Sequence, residues 1–259
     1  MQYGFLLDCF LAGILASVAC GLGAAPLFIG GFDVQKRVGL GYGFAGGLMF
    51  SASVYNLILP GIIMGQATGS THHIVLILGG ILLGALFLWG CDRLLRRQTL
   101  ERSSLRRLGS RREILIFIAM SFHSMPEGVA VGVGYASQEA VAGVDDLGRY
   151  IALAIAIHNV PEGLAVALPL RARGAGFLRC FTAAFLTSLP QPLTAVPAAL
   201  LVWFFQPLLL PLLGFAAGAM MFLVLMELIP DALDDRRPVE IAWSFLFGFC
   251  LMILVQVII

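Results

Sequence analysis

Long apolar stretches separated by short charged clusters constrain this chain more than any other feature of its sequence. A helix needs about 20 apolar residues to cross the roughly 30 Å hydrocarbon layer of a bilayer. Eight stretches meet that length, approximately 4–31, 39–65, 73–92, 114–135, 149–170, 178–204, 208–229 and 240–259. They make residues 1–259 one polytopic domain, an all-α integral membrane protein with eight transmembrane helices. Hydrophobic residues make up 59% of the chain and charged residues 12%, and the mean hydropathy is +0.95, which excludes a water-soluble domain with a polar shell. The first stretch lacks a basic leader and carries Asp8, so it reads as a retained helix rather than a cleaved signal peptide. Cys9, Cys20, Cys91, Cys180 and Cys250 stand singly and read as small packing residues. Nothing suggests nucleic-acid binding.

Basic residues orient the chain. Lys36, Arg37, the eight arginines from Arg93 to Arg112, Arg171, Arg173, Arg179, Arg236 and Arg237 all follow odd-numbered spans, leaving only Arg149 on the other side. The positive-inside rule then makes 93–113 a cytoplasmic loop and places both termini outside the cytoplasm of a cell membrane, inner or plasma. The arginine run reads either as that topology signal or as a surface for anionic lipid. Clusters such as Gly43, Gly46 and Gly47, or Gly79, Gly80 and Gly84, let helices approach closely. Span 6 holds Pro190, Pro192 and Pro197, so its interior must bend or open.

Span 4 reads His123-Ser-Met-Pro-Glu127-Gly, and span 5 repeats the pattern as His158-Asn-Val-Pro-Glu162-Gly. Consecutive spans run in opposite directions, so the copies form an inverted repeat that meets across a pseudo-two-fold axis in the membrane plane. His and Glu four residues apart share one helix face, and two spans supply two imidazoles and two carboxylates. An ionised acid at the bilayer centre costs roughly 2.5 to 3.5 kcal/mol on insertion scales, and neither span has a mid-helix Lys or Arg to offset it. A cation from outside is the natural partner. Pro126 and Pro161 release the carbonyls of Phe122 and Ile157, and the mixed imidazole and carboxylate set suits zinc and its first-row neighbours better than alkali ions. His72 and His73 fall at an outer loop and read as solvated, with the loading of metal as the alternative.

At these residues the chain resembles the ZIP (Zrt/Irt-like) divalent metal transporters, in particular their prokaryotic GufA-like branch. The likeness extends to Gly43-Phe-Ala-Gly-Gly-Leu-Met49 with Leu59-Pro60, similar to the family's second helix, and to Glu227-Leu-Ile-Pro-Asp231, similar to the end of its seventh. The resemblance implies one metal position lined by Met49, His123, Glu127, His158 and Glu162. A second position would comprise Ser124, Glu127, Asn159, Glu162 and Gln191, where the family carries Asn, Asp or Asn, and Glu in place of Ser124, Asn159 and Gln191. Asn56 falls at a polar lining position of the second helix or serves as a packing amide. Glu227 and Asp231 either line the cytosolic exit or cap a helix end. The resemblance further implies a homodimer, alternating access and transport of Zn2+ into the cytosol. Fe2+, Mn2+ and Cd2+ are alternatives that the residues do not rank, and the ion is cargo rather than a cofactor. No G-x-x-x-x-G-K-[ST] motif is present to couple transport to ATP. The rival expectation is an intramembrane zinc-dependent hydrolase, since the same donors can activate water; the absence of H-E-x-x-H and the near-symmetry of the repeat argue against it.

Overall fold

The computed structural model describes residues 4–29, 38–66, 72–97, 111–140 and 147–258, and these are almost wholly helical. Span 1 is α1 (Gly4–Leu22) with a 3-10 turn over Ala25–Phe28. Span 2 is α2 (Val38–Ala52), a π-helical turn (Ser53–Ile58) and α3 (Leu59–Gln66). Then come α4 (His72–Arg97), α5 (Arg111–Ala140) and α6 (Leu147–Ala172). Span 6 is α7 (Phe177–Ser188) and α8 (Pro190–Phe204), which separate at Leu189 where the proline pair begins. Span 7 is α9 (Leu209–Leu223), a second π-helical turn (Val224–Leu228) and α10 (Ile229–Asp235), and α11 (Pro238–Ile258) closes the chain. Spans 1, 2, 3, 6, 7 and 8 are each long and apolar enough to cross a membrane. The 30 residues of α5 and 26 of α6 reach about 45 and 39 Å at 1.5 Å per residue, also sufficient. The expected loop 93–113 is partly helical, since α4 runs on to Arg97 and α5 starts at Arg111; residues 98–110 lie outside the described residues.

The inverted repeat extends well beyond the two motif helices. Gly43-Phe-Ala-Gly-Gly-Leu-Met49 in α2 stands at one constant sequence offset from Gly214-Phe-Ala-Ala-Gly-Ala-Met220 in α9, and the same offset relates Ser17 to Ser188, Cys20 to Gln191 and Asn56 to Glu227. Packing follows the same rule: α4 lies along α9 as α11 lies along α2, and α5 along α8 as α6 along α1. The glycines report it atom by atom. A Cβ on Gly84 would overlap the backbone of Phe215 and Ala219, while one on Gly248 would overlap Phe44 and Leu48, their repeat mates. Likewise Gly47 abuts the Phe245 carbonyl as Gly218 abuts that of Ile81. Such close approach suits helices in lipid, where van der Waals contact between backbones replaces the hydrophobic effect as the force holding helices together.

The two π turns occupy equivalent places in spans 2 and 7, closed by i to i+5 bonds from Leu59 N–H to the Val54 carbonyl and from Ile229 N–H to that of Val224. Each is followed by a proline, Pro60 or Pro230, which cannot donate to the carbonyl four residues back and so loosens the ladder there. The outer helices α4 and α11 are mostly exposed and present Leu82, Trp243 and Val257, each at least 71% accessible. That surface fits hydrocarbon and would aggregate in water. At the other end of the scale Gly174 ends α6 with φ +83°. Ala175 N–H bonds to the Leu170 carbonyl and Gly174 N–H to that of Arg171, the paired bonds of a Schellman cap. The Arg171 guanidinium then lies 4.4 Å over the Phe28 ring, holding that end of α6 to span 1.

One expectation needs correcting. His72 is exposed at the start of α4, but His73 is buried at 7% accessibility, its ring seated against Gly65 of α3 where any Cβ would collide with it.

Candidate metal site

Glu127 and Glu162 lie in the interiors of α5 and α6, at 0% and 3% accessibility. Each is preceded by a proline and followed by a glycine, and both neighbours shape the site. Pro126 and Pro161 interrupt the hydrogen-bond ladder. The glycines admit a neighbouring backbone: a Cβ on Gly128 would overlap the Gln191 carbonyl and the Thr194 hydroxyl of α8, and one on Gly163 would overlap the Cys20 carbonyl of α1. Each glutamate is therefore clamped beside a second helix, Glu127 beside Gln191 and Glu162 beside Cys20. Thr194 Oγ1 reinforces the first clamp by donating to the Met125 carbonyl at 3.0 Å, with the Pro190 carbonyl at 2.9 Å as its alternative acceptor.

A continuous hydrogen-bond chain joins these groups. Gln191 Nε2 donates to Glu127 Oε2, and the carboxyl of Glu127 comes within hydrogen-bonding reach of that of Glu162. Gln191 Oε1 accepts from Asn159 Nδ2 at 3.1 Å, and the same amide nitrogen reaches Ser188 Oγ at 3.2 Å and the Ala16 carbonyl at 3.0 Å. Ser17 Oγ, with Gly13 and Ser188 carbonyls both at 2.9 Å, ties α1 to the end of α7 at this level. Asn159 and Gln191 are both fully buried. Asn159 Oδ1 is buried and accepts no hydrogen bond. Two carboxyl groups in contact cannot both be ionised without compensation: unit charges 4 Å apart repel by about 4 kcal/mol at an effective dielectric of 20. Either a proton or a cation must lie between them.

The remaining sequence candidates are distributed around this chain. The backbones of His123 and His158 sit one helical turn before the glutamates in α5 and α6, and their side chains lie outside the described residues. Among the described residues no group of three or more His, Cys, Asp and Glu gathers in a metal-holding cluster. Ser124 is buried but donates to the Met120 carbonyl of its own helix at 3.1 Å. Met49 is fully buried, in an apolar cluster with Leu223 and Val224. Asn56 is buried in the first π turn and accepts from Gln256 Nε2 of α11. Glu227 lies half-buried in the second π turn, and Asp231 is exposed on α10. Reading the sequence by motif misses Cys20, whose thiol is within hydrogen-bonding reach of the Thr187 and Ser188 hydroxyls and within electrostatic range of Glu162 and Glu127. The signal for it is the repeat itself, Ser17-x-x-Cys20 against Ser188-x-x-Gln191.

Comparison with known proteins decides the family. Residues 98–256 match the family model described as ZIP zinc transporter, and the zinc transporter GufA of Myxococcus xanthus is 31% identical over 95% of this chain and 96% of its own length. The chain belongs to the ZIP zinc transporter family. That family is one of transporters rather than enzymes, which does not favour the hydrolase alternative. The zinc transporter ZIP11 of Homo sapiens is 41% identical over 57% of this ZIP chain, and an Arabidopsis thaliana relative is 37% identical over 87% of it. This chain spans 35% of the Arabidopsis protein and 43% of the human one.

Proposed function

We propose that this ZIP protein carries divalent transition-metal ions, zinc foremost, across the membrane into the cytosol by alternating access, through a site between α5 and α6. The observation that carries the reading is the contact of Glu127 and Glu162, two buried carboxyls with no basic side chain on either helix at their level. A divalent cation balances both charges at once. His123 and His158, one turn away on the same two helices, would complete the donor set with Met49 as a soft neutral donor. Asn159, with its unpartnered Oδ1, and Gln191 border the site as neutral amides. Relatives named zinc transporters support zinc as the cargo. The inverted repeat supports alternating access, because two halves related by an in-plane axis can exchange conformations and so open the site to each side in turn. On this reading Asn56 and Glu227, each in a π turn at equivalent positions, flank the path. The test is metal-resolved uptake into liposomes by the purified protein: zinc uptake that Glu162→Gln abolishes is expected, and uptake unaffected by that change would overturn the assignment.

A further inference from the structure

We propose that the corner where spans 1, 5 and 6 meet binds the phosphate headgroup of an anionic phospholipid, held by Arg171, Arg173 and Arg179 beside a lipid-facing apolar flank. The surface is separate from the metal site and does not depend on the transport reading.

The chain reverses direction at Gly174, which brings three arginines from nine residues of sequence to the end of α6 and the start of α7. All three are exposed. Residues 163–226 contain no Asp or Glu, and the segment 30–37 that follows span 1 adds Lys36 and Arg37 against Asp33. Positive charge of this kind marks one side of a membrane protein without making a site. What distinguishes this corner is the way its parts are fixed. Arg171 lies 4.4 Å over the Phe28 ring and donates from Nη1 to the Ala175 carbonyl at 3.4 Å. A guanidinium oriented by a ring and a carbonyl keeps further N–H groups for a planar or tetrahedral oxyanion such as phosphate. Arg171 and Arg179 both lie within electrostatic range of Cys180, so they approach the corner from the two helices that form it. Beneath them Ala24, Leu27, Ala167 and Cys180 pack together and hold the three spans as one unit.

The corner also has room and an apolar side. A Cβ on Gly174 or Gly176 would meet nothing within 4 Å, which leaves space for a headgroup. The Phe28 ring stands edge-on to Phe177 at 5.5 Å, and Phe177 lies 6.0 Å from Phe181. Leu178 and Ile29 beside them are 75% and 67% accessible. Aromatic rings with arginines at a helix end are the groups that sit at the headgroup level of a bilayer, and exposed aliphatic side chains next to them suit an acyl chain. A free phosphate ion would leave that flank unused. The excess of positive charge selects an anionic headgroup over a zwitterionic one.

The experiment titrates the detergent-purified full-length protein with phosphatidylglycerol, and separately with phosphatidylcholine of the same acyl chains, and counts bound lipids by native mass spectrometry. The expected result is one phosphatidylglycerol per chain, bound in preference to phosphatidylcholine. Its affinity should fall about fivefold in Arg179→Gln, and about a hundredfold when Arg171→Gln, Arg173→Gln and Arg179→Gln are combined. Should the triple variant fail to fold, Arg173→Gln and Arg179→Gln as single changes carry the same test. Arg236→Gln with Arg237→Gln, on the same expected face of the membrane, should leave the preference intact. Loss of the preference in that control would mean general attraction to basic residues and overturn the site, as would a preference that survives the arginine changes or is absent from the unmodified protein. Inorganic phosphate should not displace the lipid; displacement would make the corner a free-anion site and overturn the lipid assignment.

Discussion

At the residue scale, charge sets how many ions the proposed site is expected to hold. Glu127 and Glu162 supply two negative charges, enough for one divalent cation, and a second would leave an excess of two positive charges in a buried place. Gln191 cannot offset that excess. Its amide is oriented by two bonds, Oε1 accepting from Asn159 and Nε2 donating to Glu127, so it turns N–H toward the carboxylate where a second cation would need an oxygen. We therefore expect one zinc per chain in anomalous scattering from zinc-soaked crystals, and a second ion once Gln191→Glu adds a charge and removes the donor. Two fully occupied peaks in the unmodified protein would defeat the charge argument. Protons compete for the same donors. Imidazole and carboxylate groups ligate only without a proton, so acidification sets protons against metal at the proposed site. Zinc uptake at fixed free metal should fall on acidification; a steady rise instead would mean proton-driven coupling.

At the element scale, the glycines decide whether the helices can meet at all. Gly→Ala inside an exposed helix gains up to about 1 kcal/mol, because glycine is the poorer helix former. Gly128 and Gly163 should reverse that sign, since a methyl at either would collide with the backbone of Gln191 or Cys20, and backbone cannot rotate out of the way. Overpacking of this kind costs typically 1 to 3 kcal/mol. The prediction is a lowered melting temperature for Gly128→Ala and Gly163→Ala, and an unchanged or raised one for Gly79→Ala, where the space is open. Equal melting of all three would refute it. These contacts also explain what could be read from the letters. The His-x-x-Pro-Glu-Gly pair is visible because its polar residues are rare in so apolar a chain. The repeat of Gly43-Phe-Ala in Gly214-Phe-Ala is equally present but hidden, since glycine, alanine and leucine recur throughout. The equivalence of Cys20 and Gln191 is invisible as chemistry and emerges from the constant offset of the repeat together with the shared backbone contact. The π turns leave no mark on the hydrophobic period, because helices buried on most sides have none to interrupt. The burial of His73 depends on Gly65, across a connection between helices.

At the scale of the whole molecule, the inverted repeat and the charge distribution answer different questions. The repeat equates spans 1, 2, 3 and 4 with spans 6, 7, 8 and 5, each pair running in opposite senses, so the helical scaffold by itself has no inside and outside. Something that breaks the symmetry must orient it. The basic residues would do so: fifteen of sixteen follow odd-numbered spans, eight of them from Arg93 to Arg112, across the end of α4, the start of α5 and the sequence that joins them. A run of arginines resists translocation, and its retention in the cytoplasm would fix the flanking helices and, through them, both repeats. The consequence is specific. With an even number of crossings both termini are expected outside, and Ser104, within the run, is expected inside. In a background with the five native cysteines replaced, Ser104→Cys should resist a membrane-impermeant thiol reagent in intact cells and react after permeabilisation, while a cysteine added at the N-terminus should react in both. Labelling of residue 104 in intact cells would reverse the expected orientation, and with it the proposed inward direction of metal flow.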